Sequence, residues 1–168
     1  MEVATIRDGC AHDAPAIAKI YAFYVNNSTI SFEEVPPADS EIANRIQCVQ
    51  SEYPWLVAQV GEDVAGYAYA SRFRERAAYR HSVEVTVYVA PDRQRRGIGR
   101  ALYAALLDRL SRLGYHRAFA GIALPNDASI ALHRSLGFEA VGVYSEAGQK
   151  FGKWVDVSWW GIDPKRRA

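Results

Sequence analysis

At 168 residues the chain has room for one domain with a continuous core, and residues 1–168 read as a single unit. Hydrophobic residues at 49% and charged ones at 23% exclude a disordered or fibrous chain. A net charge of +1 leaves no global field to draw in nucleic acid or an anionic membrane, and no apolar run approaches the ~20 residues that span a bilayer.

Ala4–Arg7 reads as a short strand ahead of a turn at Asp8-Gly9. Asp13 is expected to cap a helix that has Pro15 in its first turn and Ile17, Ile20, Tyr21 and Tyr24 on one face. Pro36-Pro37 breaks the chain before a second helix, where Ile42, Ile46 and Val49 recur at helical spacing. Trp55–Val60 and Val64–Ala70 form a hairpin around Gly61-Glu62-Asp63. Ser82–Val89 alternates valines with Glu84, Thr86 and Tyr88, a strand with two distinct faces ended by Pro91. Gly99–Leu113 is a helix with Leu102, Leu106, Leu110 and Leu113 on one stripe and Gly114 as its stop. Ala118–Leu124 is a strand, Asn126–Leu136 a helix closed by Gly137, and Phe138–Ser145 and Lys153–Trp160 a final strand pair. The order β-α-α-β-β-β-α-β-α-β-β predicts an α/β (α+β) domain: one mixed sheet with helices packed on it.

Cys10 and Cys48 have neither disulfide nor zinc spacing, and the start Met1-Glu2-Val3-Ala4-Thr5 lacks a secretory profile, so a reducing cytoplasm is expected. His12, His81, His116 and His133 lack ligand spacing, and no metal is expected.

The most informative segment is Val87-Tyr88-Val89-Ala90-Pro91-Asp92-Arg93-Gln94-Arg95-Arg96-Gly97-Ile98-Gly99-Arg100, a strand that runs through a turn into a helix start with two glycines. Free amides and the dipole at a helix start favour an anion such as phosphate. A P-loop is excluded because no Gly-Lys-Ser/Thr triplet occurs, and a dinucleotide fingerprint because Leu102 stands three residues after Gly99. Gln94-Arg95-Arg96-Gly97-Ile98-Gly99 resembles the Q/R-x-x-G-x-G/A motif of the GNAT superfamily of N-acetyltransferases. Asn126-Asp127-Ala128-Ser129, followed by Gly137-Phe138, resembles the N-x-x-S helix of the same superfamily.

The similarity extends to its phosphinothricin and methionine sulfoximine N-acetyltransferase branch. It is carried by Ser82–Val89, Gly99-Arg100-Ala101-Leu102-Tyr103, Ser129-Ile130-Ala131-Leu132-His133, Gly148–Val157, Tyr53-Pro54-Trp55-Leu56-Val57-Ala58 and Phe32-Glu33, and runs from about Thr5 to Trp160. The resemblance implies a GNAT fold: a mostly antiparallel twisted sheet of about seven strands flanked by about four helices. It implies acetyl-coenzyme A as cosubstrate, an amino-acid-like small-molecule amine as acceptor, and a homodimer. Arg95, Arg96, Gly97, Ile98, Gly99 and Arg100 then cradle the pyrophosphate, and the backbone of Val87, Tyr88 and Val89 pairs with the pantetheine arm. Asn126 and Ser129 serve as helix cap, ligand contact or both.

On the acceptor side the resemblance brings forward Phe32, Glu33, Arg74, Arg76, Tyr79 and Glu84, with the Phe151–Trp154 turn contributed by a neighbouring subunit. Arg72-Phe73-Arg74-Glu75-Arg76 departs from the tryptophan-containing pattern of several relatives. Acetyl transfer needs a neutral amine, and Glu84, a carboxylate in an otherwise apolar strand, reads as the base that takes its proton, as an exposed strand residue or as half of a structural ion pair; the resemblance favours the base. His133 or Tyr103 returns a proton to the leaving thiolate. Neither cysteine stands beside a base, so direct attack without an acyl-enzyme is expected. The alternatives are another acceptor (a polyamine or a protein N-terminus), a non-catalytic acyl-coenzyme A sensor, and a nucleic-acid module using Arg93, Arg95, Arg96 and Arg100, which the near-zero net charge opposes.

Overall fold

A computed structural model describes residues 4–166. The sheet holds seven strands in the order β1-β2-β3-β4-β5-β7-β6. These are β1 (Thr5–Asp8), β2 (Trp55–Val60), β3 (Asp63–Arg72), β4 (Ser82–Val89), β5 (Arg117–Ala123), β6 (Glu139–Lys150) and β7 (Lys153–Ile162). Four helices flank it: α1 (Ala14–Asn27), α2 (Asp39–Gln50), α3 (Ile98–Arg112) and α4 (Asp127–Ser135). All neighbouring strands are antiparallel except β4 and β5.

Alternation along the strands divides the core in two. Val83 and Val85 of β4 point to one face, where Leu102, Leu106 and Leu110 of α3 are fully buried. Tyr67 and Tyr88 point to the other, against Ile17, Tyr21 and Tyr24 of α1 and Ile42 and Ile46 of α2. Leu113 leaves the predicted stripe and is exposed, because the helix ends at Arg112 and Gly114 turns the chain away with φ at +87°.

The expected cap at Asp13 is also corrected. Its carboxylate caps no amide of α1. It accepts instead from both terminal nitrogens of Arg7, at 2.7 and 2.9 Å, and from the Cys10 amide at 2.8 Å. A bidentate guanidinium is a stronger donor than a lone helix amide and takes the carboxylate. The pair ties β1 to the start of α1.

β4 and β5 are parallel, and they pair only at Ser82, Val83 and Glu84 of β4. Beyond Glu84 the two strands part, and the middle of the sheet is open.

Burial alone would push the Asp13 carboxyl up, but the Arg7 guanidinium and Cys10 amide outweigh it and hold it below the usual carboxylate range. Its contribution is therefore full above the unfolded pKa and is lost as pH falls through the folded value. Asp13→Asn is expected to cost about 2 kcal/mol at pH 7, a difference that narrows below about pH 4. Urea melts of both proteins across that range check this, and a constant difference would rule it out.

Candidate active site

Two adjoining cavities of about 630 and 490 Å³ lie along the parting of β4 and β5, and both are lined by Val87, Tyr88, Asn126 and Ser129. The Tyr103 hydroxyl donates to the Val85 carbonyl at 3.3 Å, and the Tyr24 hydroxyl to the Val89 carbonyl at 2.5 Å. Main-chain groups of a strand alternate in direction, so the amides and carbonyl of Val87 lie on the same side as those two carbonyls. The strand on that side has already diverged. A stretch of β4 edge thus faces a cavity inside the sheet, where an extended ligand can add as a strand.

The smaller cavity ends at the start of α3. Ala101 makes the first main-chain bond of that helix, to the Gly97 carbonyl at 3.0 Å. The amides of Ile98, Gly99 and Arg100 precede it and lie outside the helix ladder. Gly97 has φ at +79°, a conformation open to glycine, and nothing approaches within 4 Å of where its Cβ would stand. Arg95 also sits in the left-handed region, with φ at 60°, at a cost of about 1 kcal/mol. Arg95 and Arg100 line this cavity, and Arg100 is steadied on the Ser135 carbonyl and hydroxyl at 3.0 and 2.8 Å. The exposed Arg96 does not line it, and Arg93, which does, pairs with Asp63 at 3.2 Å.

Tyr24, which belongs to no motif, and Gln94, the first residue of the glycine motif, together hold the turn. The Gln94 side-chain amide donates to the Tyr24 hydroxyl at 2.9 Å, which in turn bonds the Val89 carbonyl. One tyrosine of α1 thereby fixes the end of β4 and the loop that follows it.

The larger cavity gathers Phe32, Glu33, Glu84, Tyr103 and His133, together with Tyr144 and Trp159, which sequence reasoning missed. Glu84 stands where the strands part and is half-buried. Burial raises its carboxyl above the usual range, with Arg74 opposing. Arg74 lies over the Phe73 ring at 4.3 Å and nearer the rim at Trp159, 5.6 Å away. The structure brings none of Arg74, Arg76 and Tyr79 into the lining of either cavity; all three are exposed, Arg74 reaching only as far as the Trp159 ring and Tyr79 edge-on to Phe73. Glu33 is held by Arg45 of α2 at 2.7 Å.

His133 is buried, and its Nδ1 lies 2.7 Å from the Ser129 carbonyl. A carbonyl only accepts, so Nδ1 carries a proton. Burial lowers the pKa of the ring despite that bond, which leaves a neutral imidazole whose Nε2 lone pair has no partner. Asn126 caps α4 by accepting from the Ser129 amide at 3.1 Å. Among the described residues no cluster of three His, Cys, Asp or Glu side chains can hold a metal, and no helix is long and apolar enough to cross a membrane.

The family profile described as Acetyltransferase (GNAT) domain matches residues 6–159. A phosphinothricin N-acetyltransferase of Streptomyces viridochromogenes is 42% identical over 158 residues, covering 94% of this chain and 86% of the relative. An L-methionine sulfoximine/L-methionine sulfone acetyltransferase of Pseudomonas paraeruginosa is 39% identical, with 98% of each chain covered. Among solved structures, a phosphinothricin acetyltransferase of Sinorhizobium meliloti in complex with acetyl-coenzyme A superposes with a TM-score of 0.92 at 40% identity, over 96% of this chain and 88% of that one. With a parted sheet, a glycine-led helix start and these relatives in agreement over nearly the whole length, the chain belongs to the GNAT acetyltransferase family.

Proposed function

We propose that this protein transfers the acetyl group of acetyl-coenzyme A to the α-amine of a small amino-acid-like acceptor of the phosphinothricin, methionine sulfoximine or methionine sulfone type. The observation that carries it is a glutamate at the fork of β4 and β5 that lines a cavity of about 630 Å³ beside an unpaired stretch of β4. The names of the relatives support the acceptor class.

The residues present fit the cosubstrate. The amides of Ile98, Gly99 and Arg100, with Arg95 and Arg100 beside them, suit a diphosphate. Val87 offers main-chain groups to a pantetheine amide. Acetyl-coenzyme A supplies the acyl group as a thioester.

Glu84 takes the proton of the acceptor's ammonium, because an amine without a lone pair cannot attack. Its pKa, raised by burial, makes it a better base than an exposed glutamate. As the nitrogen–carbon bond forms and the carbon–sulfur bond breaks, a Val87 or Val89 amide stabilises the carbonyl oxygen. Tyr103 gives its proton to the leaving sulfur, and the proton that nitrogen sheds as the amide forms restores the tyrosine hydroxyl. Its hydroxyl is kept protonated by complete burial, whereas neutral His133 with Nδ1 on a carbonyl has no proton on Nε2 to give. Arg74 meets the acceptor's acidic group at the rim, while Phe32 and Glu33 form the opposite wall.

We further propose that two copies associate through β6, an open sheet edge with exposed Val141, Val143 and Tyr144 next to exposed Phe151 and Trp154. The reaction is assigned to the cytoplasm, in keeping with two free, exposed cysteines.

Calorimetry is expected to show acetyl-coenzyme A binding, and thiol release to respond to amino-acid analogues far more than to polyamines or peptides. Preference for a polyamine or a peptide would overturn the acceptor class. Glu84→Gln should lower kcat about 100-fold and Tyr103→Phe about tenfold, with acetyl-coenzyme A affinity unchanged. The wild-type acidic limb of kcat/KM should lie above the ordinary glutamate pKa and vanish in Glu84→Gln; retained turnover removes Glu84 from the reaction. Sedimentation velocity should find a dimer that Val143→Glu dissociates, and a monomeric wild type ends the β6 proposal.

A further inference from the structure

The wall of the acceptor cavity opposite Arg74 is a loop, residues 28–34, without regular secondary structure. A loop is a poor place for specificity unless something fixes it. The structure supplies that fixture from the other end of the chain. Lys150, the last residue of β6, is buried, and its ammonium donates to the Val25 and Ser31 carbonyls, each at 2.7 Å. Val25 lies in the last turn of α1, where carbonyls lack helical partners and the dipole attracts a cation. Ser31 lies 119 residues from Lys150, immediately before Phe32 and Glu33.

A second contact comes from the same hairpin. A Cβ at Gly148 would stand 2.4 Å from the Phe32 ring, so the ring lies on bare backbone that only glycine leaves open. The Ser31 hydroxyl is also held, 2.7 Å from that of Tyr21. Burial lowers the pKa of Lys150, but Glu34 and Glu33 oppose the change and the Phe151 ring lies 5.0 Å from Nζ. An ammonium is costly to bury, and here its main-chain partners lie in α1 and the acceptor loop.

We propose that the β6–β7 hairpin, through Lys150 and Gly148, is a positioning device that holds Phe32 and Glu33 in place for the acceptor and has no part in holding the cosubstrate. This rests on the reading of the larger cavity as the acceptor site. Neither residue lines that cavity.

The test uses Lys150→Met, which keeps the stem and removes the donors, and Gly148→Ala, which displaces the Phe32 ring without burying an unpaired group. Each variant should raise the KM of an amine that the wild type acetylates about tenfold. The affinity for acetyl-coenzyme A by calorimetry should stay within about twofold, a division that general loosening of the fold does not produce. Unchanged acceptor KM in Gly148→Ala, or equal loss of both affinities, overturns the proposal. Amide exchange of residues 28–34 should be about tenfold faster in Lys150→Met, with residues 97–101 unaffected. If the wild type acetylates no amine, the acceptor reading falls by itself; unaltered exchange in the loop would then still overturn the clamp. Should Lys150→Met fail to fold, Gly148→Ala decides the matter through the same division of affinities.

Discussion

The site depends on an interruption of main-chain pairing. β4 and β5 hydrogen-bond at three positions and then diverge, so a strand in the middle of the sheet acquires the properties of an edge. Exposed edges elsewhere invite aggregation. This one lies inside the molecule, bounded by α3 on one side and α1 on the other, and two of its carbonyls already accept tyrosine hydroxyls. What remains around Val87 is a short polar strip of limited length. Such a strip has the length and polarity to pair with a short extended chain that carries amide groups.

α3 joins the two halves of the chemistry. Its first turn presents free amides to an anion, and one turn later Tyr103 reaches through the gap to Val85. The Leu102, Leu106 and Leu110 stripe buries this helix against the sheet, so anion site and hydroxyl cannot move independently. Around the gap the electrostatics run one way. Burial raises the hydroxyls of Tyr67, Tyr88 and Tyr103, that of Tyr21 is pushed up to about 12, and every one of them stays neutral. Glu84 and Glu33 are the negative groups among them, Glu84 opposed by Arg74 and Glu33 paired with Arg45.

Local signals made the cosubstrate half legible in the sequence. Period-two alternation marked β4, two glycines and a leucine stripe marked α3, and Asn126 stood where a cap should. The acceptor half was less so, because its contacts join residues with no shared local pattern. Nothing near Lys150 says that its ammonium ends on Ser31, and nothing near Tyr24 says that it meets Gln94, 70 residues on. Asp13 failed as a cap because Arg7, from another element, outbids a helix amide. The arginine-rich loop was drawn too close to the site, since Arg74, Arg76 and Tyr79 all stay exposed outside the lining of both cavities. Alternation fixes side-chain direction only within a strand, and β3 ends at Arg72.

The division between the halves has a physical reason. A diphosphate is held well by main-chain amides, which no substitution short of a backbone change removes, so that half can rely on local sequence. An acceptor amine with a variable side chain must be recognised by side chains, and these need outside support. Arg45 supports Glu33, Gly148 leaves room for Phe32, and Lys150 grips the chain just before both. These supports come from two elements, α2 and β6, and none is part of the sheet opening. The acceptor wall can therefore change shape through its supports while β4, α3 and the amides between them stay as they are.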